Sequence, residues 1–227
     1  MNTSAVVDEL SLTEKLFTIE MVTNRAQLRE VFRLRHQVYC VERGFEAVSG
    51  NEETDEFDPQ SRHVLLRHAS DGEVVGTVRL VAHNPADLNA SFPMQRVCEA
   101  SLLRQLPLRQ TGEISRFAIS KQRRLSCEHA ALLRLALVRG FVQLSSEMGL
   151  THWLAVMERS LLRLNQQNAI HFNPLGPLVS YHGIRQPAFA AIAALLDRVR
   201  REQPPVWNFL TDSGTWFGRH EEFAQAA

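Results

Sequence analysis

Three arginines stand where apolar side chains are expected. Arg35 lies four residues after Val31, three after Phe32, three before Val38 and four before Tyr39, which on a helix places it on the apolar stripe. Arg79 shares a strand face with Val75, Thr77 and Val81 if the pleat is regular. Arg116 follows Glu113 in the run Glu113-Ile114-Ser115-Arg116-Phe117-Ala118-Ile119, which is otherwise fit for burial. A guanidinium does not readily lose its proton, and burying one unpaired costs on the order of several kcal/mol, so each arginine requires an anion. Glu52, Glu53, Asp55, Glu56 and Asp58, clustered within seven positions, are the nearest supply. Glu113 and Arg116 are an odd number of residues apart, so regular pleating would put them on opposite faces. A bulge between them would bring both to one face, and bulges gather beside active sites. Carboxylates and guanidinium groups collected in apolar elements are suited to proton transfer and to recognition of a charged substrate.

Recognisable elements must position these residues. Phe17, Ile19 and Met21 alternate with Thr18 and Glu20 as in a half-buried strand. Asn24 and Gln27 predict a capped helix start, and Leu28, Val31, Phe32, Val38 and Tyr39 carry the helix to about Val41, before Gly44. Residues 46–62 read as an acidic loop. A hairpin follows, with strands at 63–68 and 74–81 around Ser70-Asp71-Gly72. A long connection over 83–110 holds one short helix near 97–105, then a strand runs from Gly112 to Ser120. Residues 128–149 predict a long helix, apolar on more than one face, suited to a buried crossover. A strand at 151–156 and helices at 159–167 and 189–201 complete the regular pattern. The stretch 171–181, interrupted by Asn173-Pro174 and Gly176-Pro177, reads as a bulged or edge strand at best. The order predicts one three-layer α/β domain over 16–203, with an N-terminal tail (1–15) and a C-terminal extension (204–227).

Composition removes several classes of function. The 25 Lys+Arg balance 25 Asp+Glu, which argues against a dedicated nucleic-acid binder. Cys40, Cys98 and Cys127 are widely spaced and odd in number, so neither a disulfide framework nor a zinc site is expected, and a reducing cytoplasm fits. Nowhere do 18 apolar residues follow one another, and Met1–Leu12 has no apolar run of the kind a secretory signal needs. The nine histidines show no metal-ligand spacing, so no metal is expected.

Arg35 with Tyr39 and Phe45, then Glu53-x-Asp55-x-x-Asp58, Gly76-x-x-Arg79 and Glu113-x-x-Arg116-Phe117, resembles the motif set of acyl-homoserine-lactone (autoinducer) synthases and of the related N-acyl amino acid synthases. Autoinducer synthases favour Phe and Trp where Tyr39 and Phe45 stand. Residues 34–45, Leu-Arg-His-Gln-Val-Tyr-Cys-Val-Glu-Arg-Gly-Phe, and Tyr181-His182-Gly183-x-Arg185-x-Pro187 resemble the two signatures of acyltransferases associated with the PEP-CTERM/exosortase system. The resemblance implies a GNAT-like (acyl-CoA N-acyltransferase) α-β-α sandwich with a mixed sheet. It also implies a fatty acyl donor carried as a phosphopantetheine thioester on acyl carrier protein, or as acyl-CoA, with no tightly bound cofactor.

On this reading Glu113 is the base and Arg116 belongs with it in the catalytic pair. Arg35, Tyr39, Phe45, Glu53, Asp55, Asp58, Arg79, Phe117, His182 and Arg185 surround the substrates. One of the three buried arginines would remain free for the acceptor, and Arg185 could grip an amino-acid carboxylate. The turn Lys121–Glu128 has no glycine of the kind that cradles a pyrophosphate, whereas Lys121, Arg123 and Arg124 suit the acidic carrier protein or its phosphate. Direct transfer needs no covalent intermediate, so Cys40 and Cys127 are expected to pack rather than react. An autoinducer synthase using S-adenosylmethionine, and a non-catalytic binding module for a lipid or carrier protein, are the alternatives.

Overall fold

The computed structural model describes residues 3–45, 49–124 and 130–216. An eight-stranded mixed sheet forms its middle layer. Strands β1 (Phe17–Met21), β2 (Ser61–His68), β3 (Val74–Val81) and β4 (Thr111–Ile119) follow one another antiparallel. β5 (His152–Glu158) then joins β4 in parallel. β8 (Ile184–Ala191) runs antiparallel to β5 and carries two short edge pieces, β6 (Asn173–Pro174) and β7 (Val179–Ser180).

Helix α2 (Arg25–Arg35) covers one face, burying Val31 and Leu34 against Leu65, Val74 and Ala118. Its start is built as the sequence predicts: Asn24 Oδ1 accepts from the Gln27 N–H at 3.0 Å, and Gln27 Oε1 accepts from the Thr23 N–H at 2.9 Å. The 82–110 connection, including α3 (Ala100–Leu103), lays Phe92, Met94 and Leu103 on Val81 and Leu154 on the same side. The opposite face carries α4 (Ala130–Glu147), the predicted crossover, together with α5 (Arg159–Gln166), α6 (Ile192–Glu202) and α7 (Pro204–Thr211). Gly140 permits α4 to lie close on the sheet, since a Cβ there would meet Val64 Cγ1 at 2.6 Å.

The structure differs from the sequence reading in four places. The segment 189–201 is not one helix: β8 continues to Ala191 and α6 begins at Ile192. The alternating Ala188 and Ala190 are buried against β5, and a strand made of small residues carries little period-two contrast. Thr3–Leu16, expected as a tail, forms helix α1 and contacts α4 and α7 through buried Leu10. Pro204–Thr211, expected as an extension, is α7, whose Val206, Phe209 and Leu210 enter the main core. Finally, the helix expected to reach Val41 widens after Arg35 into a π-helical segment, His36–Glu42.

Candidate active site

The site is built on the point where the sheet comes apart. β4 and β5 pair through four residues only, from Thr111↔His152 to Ile114↔Ala155, and then both strands continue without pairing each other. At the same level β4 departs from β3. Arg79 stands opposite Ser115 and Thr77 opposite Ala118, so β4 carries one extra residue in this stretch, and Arg116 takes φ = +48°. This is the bulge that the odd Glu113–Arg116 spacing requires for both side chains to face one space. They do: both line a cavity of about 360 Å³ that opens between the diverging strands.

Arg35, Arg79 and Arg116 close a ring with Glu53, Asp55 and Asp58. Glu53 bridges Arg35 and Arg116, the latter through Nη2 at 2.9 Å. Asp55 bridges Arg116, at 3.0 Å, and Arg79. Asp58 Oδ1 joins Arg79 at 2.8 Å and Arg35 at 2.6 Å. Each carboxylate thus serves two guanidinium groups, and three positive charges meet three negative ones. Arg35 and Arg79 are completely buried, which is tolerable because their charges are paired within the ring. Burial alone would raise the carboxylates, but Arg35 and Arg79 prevail at Asp58 and lower it to about 2. His63, enclosed beside the ring, is held neutral by burial and by Arg35, its pKa lowered to about 3.

The acidic loop therefore does supply the anions that the arginines require. None of the three arginines is without a carboxylate partner. Arg116 alone among them lines the cavity, where it is held from behind by Glu53 and Asp55 and stands 5.5 Å from the Tyr39 ring.

Glu113 differs from these carboxylates. It is 2% exposed, and its Oε2 accepts from the Met94 N–H at 2.7 Å. Burial pushes its pKa up to about 7, against the pull of that N–H and of Arg79 and Arg116. A carboxyl poised near neutrality and facing a cavity is fitted to exchange a proton there. Ser115, also on the cavity wall, accepts from Arg79 Nε at 2.9 Å.

The lining of the cavity is of two kinds. Toward α2 the cavity is lined by Tyr39, Arg43, Phe45, Tyr181 and His182. The π-helical segment delivers Tyr39, and the β7–β8 turn, with His182 at φ = +49° and Gly183 at φ = +99°, delivers His182 to stack on Phe45 at 5.5 Å. Arg185 donates to the Tyr181 carbonyl at 2.6 Å and the His182 carbonyl at 3.1 Å, and pairs with Glu158 at 3.3 Å. It ties this turn in place. Toward α4 and α5 the cavity is mostly apolar, with Val138, Phe141, Met157, Leu161 and Phe172; Phe117 lines it as well.

The basic residues after β4 divide. Arg124 lines the cavity, and Lys121 is exposed beside it. Arg123 is engaged with the Val74 carbonyl at 3.1 Å and with Glu73 at 3.6 Å. Glu42, part of the 34–45 signature but given no role there, accepts from Ser120 Oγ at 2.6 Å and from the Lys121 N–H at 2.9 Å, fixing this turn to the π-helical segment. Only the tertiary pairing of the two segments reveals that role. Cys98 is unreactive by its setting, since burial and then Glu113 push its thiol up to about 11. Cys40 is half-buried and not joined to Cys98, and Cys127 lies outside the described residues. Among the described residues no cluster of His, Cys, Asp and Glu could hold a metal ion, and no helix is long and apolar enough to cross a membrane.

A mixed sheet flanked by helices, bulged and parted at its centre over a cavity, defines the GNAT class of acyltransferase folds. Residues 34–134 of the chain match the acetyltransferase (GNAT) domain family, in keeping with that fold. Among solved structures it is similar to TofI in a ternary complex with an inhibitor and MTA. The two are 22% identical with a TM-score of 0.61, over 84% of this chain and 99% of that one. It is similar also to the AHL synthase LasI, at 20% identity and a TM-score of 0.59 over 76% of this chain and 88% of that one. A third is FeeM, an N-acyl amino acid synthase from uncultured soil microbes, at 13% identity and a TM-score of 0.58 over 80% of this chain and 94% of that one. At these identities the likeness is one of fold. No curated protein matches the sequence.

Proposed function

We propose that the protein is an N-acyltransferase that moves a fatty acyl group from an acyl-carrier-protein thioester to the amine of an amino acid or a similar small acceptor. The observation that carries this reading is the Glu113 carboxyl, buried, held by the Met94 N–H and facing one cavity with Arg116 where β4 and β5 part. The acceptor occupies the polar compartment under Tyr39, Phe45 and His182. Arg116, with its back to Glu53 and Asp55, faces the acceptor. The acyl chain lies in the apolar compartment beneath α4 and α5.

Glu113 takes the proton that the amine must lose, since an α-amino group with a reference pKa of about 8 is largely protonated at neutral pH. The neutral nitrogen attacks the thioester carbonyl, and N–H groups of the unpaired part of β4 are the donors to the oxyanion. Collapse breaks the C–S bond as the nitrogen loses its second proton, which passes to the departing thiolate, while the proton first taken by Glu113 is released to solvent. The thiol leaves on its carrier. Arg124 and Lys121 at the mouth receive the acidic carrier protein or the phosphate of its pantetheine arm, while Arg123 supports the turn that presents them.

The signatures at 34–45 and 181–187 support a place with the acyltransferases associated with the PEP-CTERM/exosortase system, acting in the cytoplasm. A second reading, an acyl-homoserine-lactone synthase, is favoured by the structural likeness to TofI and LasI. A screen of the purified protein with acyl-carrier-protein and acyl-CoA thioesters against the twenty amino acids and S-adenosylmethionine, read by mass spectrometry, separates the two. N-acyl amino acids that disappear in Glu113→Gln and Arg116→Ala support the main reading, and release of methylthioadenosine selects the second. Product formation unaffected by either substitution would overturn the site assignment.

A further inference from the structure

The apolar part of the cavity holds two polar side chains with buried atoms that have no hydrogen-bond partner among the described residues. Arg134 projects from α4 on the same face as Ala130, Val138 and Phe141, all of them cavity residues. It is 9% exposed, its Nε has no hydrogen-bond partner, and among the described residues no ion pair is made to it. Asn165, on α5, is 6% exposed and lines the same cavity. Its Nδ2 reaches only Met157 Sδ, at 3.9 Å, and its Oδ1 is unpartnered. The walls around them are Val138, Phe141, Met157, Leu161 and Phe172.

Leaving a charged donor and an amide acceptor buried without partners is costly, and an apolar pocket meant for a plain alkyl chain has no use for either. An unsubstituted chain would desolvate the guanidinium further and return nothing. An oxygen on the chain would accept from Arg134, and a hydroxyl could also donate to Asn165 Oδ1. Lys121 and Arg124 are assigned above to the carrier protein or its phosphate, which leaves Arg134, on the cavity wall, for the acyl group. We propose that Arg134 and Asn165 form an oxygen-binding subsite that makes the enzyme select acyl chains bearing a hydroxyl or carboxylate over unsubstituted chains of the same length. This deepens the acyltransferase reading by naming its donor class, and it rests on that reading only for turnover.

The test compares three carrier-protein thioesters of equal chain length, unsubstituted, hydroxylated and carboxyl-terminated, with wild type, Arg134→Met and Asn165→Leu. Calorimetric titration of the three corresponding N-acetylcysteamine thioesters, which place no carboxylate at the acyl carbon, runs in parallel without acceptor. Wild type is expected to favour at least one oxygenated donor by tenfold or more in kcat/KM, and the matching short thioester by a similar factor in Kd. Arg134→Met removes or reverses that preference, and Asn165→Leu weakens it for the hydroxylated chain alone. Arg134→Met fills the same space without a charge and should melt no lower than wild type, which shows that it folds. Equal use of all three donors, or a loss in Arg134→Met that is the same for all, overturns the subsite and assigns the arginine to a part common to every donor. N-acyl product from unsubstituted donors alone refutes the subsite and leaves the N-acyltransferase reading intact. Selective binding of the oxygenated short thioesters without turnover of any donor does the reverse.

Discussion

The Arg116 guanidinium carbon lies 5.5 Å from the centre of the Tyr39 ring, and each residue reaches that place through an irregular backbone. Arg116 is the left-handed residue of the β4 bulge, and Tyr39 is in the π-helical segment that follows α2. Regular structure at either point would turn the side chain elsewhere, because an added residue in a strand or a widened helical turn changes the face a side chain occupies. The two irregularities define the wall of the polar compartment, with Glu113 beneath it.

Glu113 is expected to set the pH dependence of the reaction. Its pKa of about 7 means that kcat/KM climbs with pH through that value, and Glu113→Gln flattens the limb and lowers the plateau by about 10²–10⁴. The same carboxyl affects stability. The folded protein binds this proton more tightly than the unfolded chain, so the contribution is complete below the usual 4.5 and is lost as pH rises through about 7. Glu113→Gln should therefore gain on wild type by about 3 kcal/mol between pH 4 and pH 8 in urea unfolding. A constant difference across that range would show that the carboxyl is not protonated by its surroundings.

Breaking the ionic ring should cost more from one side than from the other. Arg35→Ala leaves Glu53 and Asp58 facing a buried gap and is expected to lose about 3–5 kcal/mol. Glu53→Gln leaves Arg35 with Asp58 and Arg116 with Asp55, so its loss should be roughly half as large. Asp58, lowered to about 2, contributes stability above its ordinary 3.8 that disappears as pH falls through about 2. Denaturation midpoints at neutral and acid pH check all three statements. Equal losses for Arg35→Ala and Glu53→Gln would mean that the ring does not act as a closed set of pairs.

Arg185 should act on the shape of the acceptor compartment rather than as a ligand. It is bound to two carbonyls of its own turn and to Glu158, so Arg185→Ala releases His182 from its stack on Phe45. The expected result is a KM for the acceptor raised by about tenfold, a loss of roughly 1.4 kcal/mol, equally for an amino acid and for its carboxamide. A loss confined to the carboxylate-bearing acceptor would restore Arg185 as an anion contact.

The amino-acid sequence by itself determined that the arginines had to be paired and with what. Arg35 on an apolar helical stripe and Arg79 in an apolar strand admit no other solution than carboxylates, and Glu53, Asp55 and Asp58 lie a few turns away along the chain. It determined also the capped start of α2, the Asp71-Gly72 hairpin and the crossover α4, and it offered a bulge after Glu113 as the way for Glu113 and Arg116 to share a face, because each depends on local spacing or on backbone chemistry. Tertiary structure alone decided that the ring closes with every guanidinium paired, that Arg185 serves its own turn, and that β8 lies on β5 rather than forming a helix. It also decided that the ends of the chain, as α1 and α7, pack together on α4. These outcomes rest on contacts between segments distant in sequence, where partner and geometry are set by packing and by charge balance across the whole site, and no local pattern of residues encodes them.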